Sequence, residues 1–86
     1  TSMEEALKEP EKVYKLNLKN QGLLVLPDEI TKFSNLQHLS IGDNRLNEFP
    51  ESLFSFEKLQ VLNMPFCGLK KIPKRIGQLK HSFIEL

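Results

Sequence analysis

The chain has 86 residues, enough for one domain at most. Its 12 lysines and arginines nearly balance its 11 aspartates and glutamates, which argues against a strongly cationic nucleic-acid-binding domain. A content of 40% apolar and 27% charged residues is typical of neither a disordered nor a membrane-spanning chain, and the single cysteine excludes both an internal disulfide framework and a cysteine-rich metal site.

The first predicted element is a short helix near the N-terminus. Ser2 with Glu5 three residues later forms a capping-box pattern, and Pro10 ends the helix or lies just beyond it. We therefore predict a helix over residues 2–8, within an N-terminal cap at 2–10 that covers the repeats that follow. The apolar face of this helix consists of Met3, Ala6 and Leu7.

From residue 13 onward the sequence repeats itself with a period of 23 residues. The copies are residues 13–35, 36–58 and 59–81, and their apolar positions match in type throughout. The fourth position of the copies holds Leu16, Leu39 and Leu62, the sixth holds Leu18, Ile41 and Met64, and a later position holds Pro27, Pro50 and Pro73.

The first half of each copy predicts a β-strand. Leu16 and Leu18, like their counterparts in the other copies, alternate with polar residues, which is the period-2 pattern of a strand with one buried face. Because the copies run in the same direction, their strands would stack as a parallel sheet. A single copy cannot bury its apolar side alone, so each copy depends on its neighbour.

A sharp turn is expected after each strand. One position in this turn holds Gln21, Asn44 and Cys67 in the successive copies. The amide of Asn44 can both donate and accept, so we expect it to satisfy the backbone groups of the turn. We expect weaker hydrogen bonding from Cys67 and a looser turn at Gln21.

The second half of each copy predicts a short helix. The proline of each copy fits the first helical position. Asp28, Glu29 and Glu51 place negative charge at helix starts, where the helix dipole favours it, whereas Lys74 and Arg75 stand at the disfavoured place in the third copy. The pairs on one helical face are Ile30 and Phe33, Leu53 and Phe56, and Ile76 and Leu79.

The last residues predict the start of a fourth copy. The period predicts a leucine at position 82, where Ser82 stands, and Phe83 and Leu86 restore the spacing only if one residue is inserted. We interpret residues 82–86 as the first strand of a fourth, incomplete repeat. Without a cap, its apolar edge is open to pairing with another chain.

These repeats resemble the leucine-rich repeat family, whose motif is L-x-x-L-x-L-x-x-N/C-x-L. Their second half is similar to the short 23-residue class with L-P-x-x-I/L, and the resemblance covers roughly residues 13–81. It implies a single α/β domain over residues 1–86, folded as a right-handed β-α superhelix, or solenoid. A short parallel sheet would lie on the concave side, with short helices or 3-10 turns on the convex side.

In this family the concave face usually binds protein partners, so the resemblance implies a non-catalytic protein-binding module. Three short strands cover only about 250 Å², whereas a standard interface uses about 800 Å² per partner. Loops and flanks would therefore contribute, or the chain oligomerises, or it belongs to a longer repeat array. The residues predicted to bind the partner are Lys15, Asn17, His38, Ser40, Val61, Asn63, Pro65 and Phe66.

Chemical sites are not predicted. His38, Ser40 and Asp43 share a face, but side chains ~6–7 Å apart on one strand are too distant for direct proton transfer, and no nucleophile elbow is evident. His38 and His81 lack the spacing of metal ligands, so we predict neither a metal nor a cofactor. We expect Cys67 to be a buried, unreactive thiol.

Two blocks of opposite charge lie toward the two ends of the chain. One interpretation is that both blocks lie in solvent. The other is that they dock the chain onto an acidic partner, or onto a second copy head-to-tail. Aromatic residues do not interleave with the basic block, so no nucleic-acid partner is predicted. The acidic block is Glu4, Glu5, Glu9 and Glu11, and the basic block is Lys70, Lys71, Lys74, Arg75 and Lys80.

A second functional hypothesis is self-association, as a homo-oligomer formed through the C-terminal strand at residues 83–86. No membrane partner is predicted, since the longest apolar run, residues 23–26, is far shorter than a membrane span. The sequence leaves localisation open between the cytoplasm and secretion after loss of a signal peptide.

Overall fold

The computed structural model describes residues 3–86. Helix α1 (Met3–Ala6) and a 3-10 helix (Pro10–Lys12) come first, and four strands then alternate with three further 3-10 helices. The strands are β1 (Lys15–Asn17), β2 (His38–Ser40), β3 (Val61–Asn63) and β4 (Phe83–Glu85). The 3-10 helices between them are Asp28–Lys32, Glu51–Ser55 and Lys74–Leu79.

The strands form one parallel sheet in the order β1-β2-β3-β4. Leu16 lies opposite Leu39, and Leu39 opposite Leu62, with all three side chains buried. The predicted α/β architecture of repeats with a short parallel sheet and 3-10 turns is confirmed. One backbone hydrogen bond recurs from repeat to repeat at 2.8 Å: Leu18 N to Ser40 O, Ile41 N to Asn63 O, and Met64 N to Glu85 O.

The core lies between the sheet and the 3-10 helices. Ile30 and Leu53, on successive helices, are completely buried, whereas their counterpart Ile76 is only partly buried. At the other end α1 covers the first repeat, because Ala6 is buried and Met3 packs against the core. This helix is shorter than the predicted 2–8, and its predicted capping residue Ser2 lies outside the described residues.

The prolines lie one position earlier than predicted. Pro27, Pro50 and Pro73 do not occupy the first helical position; each is the extended residue immediately before a 3-10 helix. Their ψ angles of 143°, 125° and 149° are not helical. Their carbonyls accept the first i to i+3 bond, as Pro27 O does from Ile30 N at 3.1 Å. The proline therefore starts the helix through its carbonyl.

The fourth strand has a different register from the one predicted. Ile84, rather than Phe83 or Leu86, lies opposite Leu62. The spacing from Leu62 to Ile84 is 22 residues, so one residue is missing and none is inserted. The missing residue lies between the last 3-10 helix and β4: Leu79 stands five positions before Ile84, whereas its counterpart Phe56 stands six positions before Leu62. Ser82, at the predicted leucine position, donates its hydroxyl to Leu59 O at 2.7 Å.

The cationic start of the last 3-10 helix is neutralised by the repeat before it. Arg75 Nη1 lies 3.0 Å from Glu51 Oε2, and the guanidinium carbon lies 4.4 Å from the ring centroid of Phe54. Both contacts are at the surface, where an ion pair and a cation–π contact each contribute about 0.5–1 kcal/mol. They offset the unfavourable helix dipole that the sequence predicts at this position.

Candidate functional site

The outward side chains of the sheet form two rows that cross all four strands. The register aligns Lys15, His38, Val61 and Phe83 in the first row. It aligns Asn17, Ser40, Asn63 and Glu85 in the second. We call these two rows, together with the residues that follow each strand, the outer face. The two rows contain six of the eight predicted binding residues and two further residues from β4. The other two predicted residues, Pro65 and Phe66, follow β3 in the chain.

Exposure varies across the outer face. Side chains on β1 are exposed, those on β2 and β3 are half-buried by their neighbours, and those of Phe83 and Glu85 on β4 are exposed again. Of the predicted binding residues, Lys15, Asn17 and Phe66 are exposed, and His38, Ser40, Val61, Asn63 and Pro65 are half-buried.

Charge and polarity change along the stack. Lys15 and Lys19 lie at the β1 end, and Lys19 Nζ approaches Asp43 Oδ2 of the next repeat at 3.8 Å. Val61 and Phe83 make the opposite end apolar, with Glu85 beside them in the second row. The surface therefore offers cations at one end and apolar contact area at the other.

Gly42 and Pro65 pack against each other where the strands end. A Cβ atom at Gly42 would lie 2.9 Å from both the carbonyl oxygen and Cδ of Pro65. The Pro65 carbonyl also accepts a hydrogen bond from Asp43 N at 2.9 Å, so pairing between the repeats continues past β3 despite the missing proline N–H. Close backbone approach thus explains the glycine at position 42.

Phe66 follows directly in an unusual conformation. Its φ of +59° lies in the left-handed region, as do those of Asp43, one repeat earlier, and Asn20, two repeats earlier, both at +56°. Asn and Asp tolerate this region, whereas a bulky aromatic residue there is a conformational outlier. The Phe66 side chain is 81% exposed, so neither its backbone nor its ring is favoured by the fold.

The polar residues of the outer face are not arranged for catalysis. His38 and Ser40 lie two residues apart on one strand, and no hydrogen bond joins their side chains in the described chain. Neither His38 nor Ser40 lines any of three surface clefts in the described part of the chain. Within residues 3–86 no cluster of three histidine, cysteine, aspartate or glutamate side chains could hold a metal ion.

Cys67 lies beneath the outer face in the turn after β3. It is buried, and its Sγ donates to Ile41 O at 3.2 Å. Burial raises the pKa of the Cys67 thiol; the backbone N–H of Asn44 partly opposes this shift, and the charge of Asp43 adds to it. A buried thiol that keeps its proton is a poor nucleophile.

Sequence reasoning missed four exposed apolar or charged residues. Phe83 and Glu85 join the outer face only through the 22-residue spacing of β4, which the regular period conceals. Leu24 and Val25 belong to an apolar run, yet both are exposed. The repeat alignment carries a signal for them, because the equivalent positions in the other copies are polar or charged.

No helix in the described part, residues 3–86, has the length and apolar character needed to cross a membrane.

Comparison with known proteins places this geometry among repeat proteins. A sequence profile described as "Leucine rich repeat" matches residues 11–69. The protein flightless-1 homolog of Mus musculus is 35% identical over 60 residues, which are 70% of this chain and 4% of that protein. A solved structure of an LRR protein from Leptospira interrogans superposes with a TM-score of 0.91 at 35% identity. That match covers 99% of this chain and 22% of the other, so the chain spans a small part of both relatives.

Proposed function

This chain belongs to the leucine-rich repeat family, and on that premise we propose that it binds a protein partner through the outer face of its sheet and the adjoining loops, without catalysis. Domains of this family generally mediate protein–protein interaction, and their fold is typically non-catalytic. The predicted binding residues, from Lys15 to Phe66, form the proposed contact surface, extended by Phe83 and Glu85.

The observation that carries this proposal is Phe66. Its left-handed backbone costs about 1–2 kcal/mol for a non-glycine residue, and its exposed ring recovers little of that by burial. Residues suited to the conformation occupy the same position in the other repeats, as Asn20 and Asp43 show. Aromatic anchors are common among the residues that dominate binding energy at interfaces. A partner that covers Phe66 supplies the benefit that the isolated fold lacks.

The loops must contribute because the sheet is small. Four strands ~4.8 Å apart and three residues long cover roughly 190 Å², which is about a quarter of the ~800 Å² that a standard interface uses per partner. Phe66 and Asp43, at the strand exits, extend the surface on one side, and the exposed Tyr14 extends it at the strand entry. The interface therefore includes both rims of the sheet.

Affinity capture with matched variants tests the proposal. The outer-face variant changes Lys15, His38, Val61 and Phe66 to glutamate. The control variant makes the same number of glutamate substitutions, with a similar charge change, on the opposite side, at Thr31, Lys32, Ser34 and Gln78. We expect the outer-face variant to lose the partners that the wild-type chain and the control retain. Undiminished capture by a folded outer-face variant would remove this surface from the proposal.

Self-association through β4 is the second candidate function. The strand pairs with β3 and exposes Phe83 at 70% and Leu86 at 47%, so its surface suits a further apolar contact. Light scattering over a concentration series tests this proposal, with Phe83→Lys as the variant expected to restore a monomer. A wild-type chain that stays monomeric at high concentration would contradict it.

A further inference from the structure

A second surface lies where the chain descends from the sheet to the 3-10 helices. Equivalent residues of the three repeats align along it, because Lys70 N donates to Asn47 O at 3.3 Å and ties the second repeat to the third. We call this surface the descending groove. Its residues, repeat by repeat, are Leu24, Val25 and Leu26, then Asn47, Glu48 and Phe49, then Lys70, Lys71 and Ile72.

Two open clefts join to form the groove. One, of about 310 Å³, lies beside Leu24 and Val25, and the other, of about 460 Å³, lies beside Lys70 and Lys71. Phe49 lines both clefts, so they form one depression across three repeats with an apolar floor.

One end of the groove exposes two aliphatic side chains, and Asp28 and Glu51 line the same cleft. Leu24 and Val25 are 67% and 75% exposed, although they are adjacent large aliphatic side chains. The equivalent pairs in the next repeats are Asn47 with Glu48 and Lys70 with Lys71, so the repeat does not require apolar residues here. A contiguous exposed apolar pair beside a cleft marks a contact site more often than a single exposed leucine does.

The other end is cationic. Neither Lys70 nor Lys71 forms an ion pair within residues 3–86. The sequence from 58 to 84 contains no acidic residue, so the field at this end is positive. Ile72, 48% exposed, supplies an apolar floor beside the two lysines.

We propose that the descending groove binds an extended protein segment in which an apolar side chain is followed by acidic residues. The apolar side chain covers Leu24 and Val25, and the carboxylates meet Lys70 and Lys71. These ends lie two repeats apart, about 10 Å at the strand spacing, which an extended segment spans in about three residues. Glu48 lies between them and disfavours an acidic group at the centre of the segment. This surface meets the outer face at a third cleft, which Phe66 and Ile72 both line, but Leu24, Val25, Lys70 and Lys71 do not line that cleft.

The probe for this proposal is the acetylated peptide Phe-Leu-Ser-Gly-Asp-Asp, titrated into the ¹⁵N-labelled chain and followed by NMR. We expect shifts in the backbone amides of Leu24, Val25 and Lys70 and none in the strands, together with weaker binding at high salt. The counterpart peptide with both aspartates replaced by lysine should bind at least about tenfold more weakly.

Three double variants complete the test, each checked for folding by its own spectrum. Leu24→Ser with Val25→Ser removes the apolar contact, and Lys70→Glu with Lys71→Glu reverses the cationic end. Each should weaken peptide binding at least about tenfold. Lys32→Glu with Lys80→Glu makes the same charge change elsewhere, and its affinity for the peptide should stay within about twofold of that of wild type.

The contrary results are equally definite. Equal binding of the lysine peptide, shifts confined to the strands, wild-type affinity in both groove variants, or no binding of the acidic peptide at millimolar concentration would each overturn the proposal. A variant with only Lys15, His38 and Val61 changed to glutamate distinguishes it from the proposed function, because these residues line none of the three clefts and the variant should bind the peptide as wild type does.

Discussion

Asn44 and Cys67 occupy the same turn in successive repeats and donate the same hydrogen bond to the repeat before. Asn44 Nδ2 lies 3.1 Å from Leu18 O, and Cys67 Sγ lies 3.2 Å from Ile41 O. The amide has a second polar atom that accepts, whereas the thiol has none. The third turn therefore has fewer hydrogen bonds than the second, because one sulfur atom both donates to Ile41 O and faces the backbone N–H of Asn44.

The first prediction concerns the full set of Asn44 hydrogen bonds. Its Oδ1 accepts from Gln21 N and Leu23 N, each at 3.0 Å, and its Nδ2 also donates to Ile41 O at 2.8 Å and Gly42 O at 3.1 Å. Asn44→Ala removes the partner of the Gln21 and Leu23 N–H groups, whereas Gly42 O keeps Asn20 N and Ile41 O keeps Cys67 Sγ. We therefore expect a loss of about 3 kcal/mol in the free energy of unfolding.

Urea denaturation measures this loss, and Asn17→Ala is the matched control. The Asn17 amide is exposed and accepts one local hydrogen bond, from Lys19 N at 3.0 Å, so its removal should cost about 0.5 kcal/mol. Equal losses in the two variants would show that the buried amide does not hold the turns together.

The second prediction concerns the pH dependence of stability. Since burial raises the pKa of the Cys67 thiol, the folded chain keeps this proton at pH values where the unfolded thiol, with a pKa of about 8.5, has lost it. The folded state then binds more protons, so the free energy of unfolding falls as pH rises through this range. Below pH 8 the stabilising contribution of the protonated Cys67 thiol is fully present.

The control for this prediction is Cys67→Asn, which cannot titrate and restores the amide of the second repeat. Denaturation at several pH values should show a steeper decline in the free energy of unfolding for wild type than for this variant as pH rises above about 8.5. We also expect the variant to be about 0.5–1.5 kcal/mol more stable at neutral pH. Parallel pH profiles would contradict the argument from burial.

The third prediction separates stability from binding at Phe66. Phe66→Asn should raise the free energy of unfolding by about 1 kcal/mol, because asparagine tolerates the left-handed backbone that Asn20 already adopts. It should also weaken partner capture. Phe66→Ala removes the ring without relieving the strained backbone, so it should weaken capture with little gain in stability. Thermal melting and capture on both variants provide the measurements, and a destabilised Phe66→Asn would refute the strain argument.

The fourth prediction compares two glycines. A methyl group at Gly42 would lie 2.9 Å from the Pro65 carbonyl oxygen, whereas one at Gly77 would have no neighbour within 4 Å. We expect Gly42→Ala to cost about 1–3 kcal/mol through overpacking. Gly77→Ala, on the 3-10 helix Lys74–Leu79, should be neutral or stabilising by up to about 1 kcal/mol. Equal urea midpoints for the two variants would contradict the close packing of these repeats.

The sequence was sufficient to predict the sheet because one period places every inward leucine. Leu16, Leu39 and Leu62 recur every 23 residues, and a one-residue slip would turn each of them into solvent. Register at β4 was not predictable in the same way. Apolar residues at 83, 84 and 86 fit more than one register, and only the connection before β4, shorter by one residue, places Ile84 opposite Leu62.

The candidate site was only partly predictable. Strand alternation assigns Lys15 and Val61 to one face without any coordinates. A phenylalanine gives no sign by itself that its backbone is left-handed. The only indication in the sequence is that Phe66 aligns with Asn20 and Asp43, two residue types that tolerate this conformation. Leu24 and Val25 look like core residues in a hydropathy pattern, and only their position on the descending side of the coil exposes them.

The side chain of Asn44 also determines the order in which the first two repeats fold during synthesis. The backbone amides at positions 21 and 23 take their acceptor from a residue 23 and 21 places further along the chain. While the chain is being synthesised from its N-terminus, the first coil therefore cannot close its own turn until the second coil has left the ribosome and delivered its asparagine.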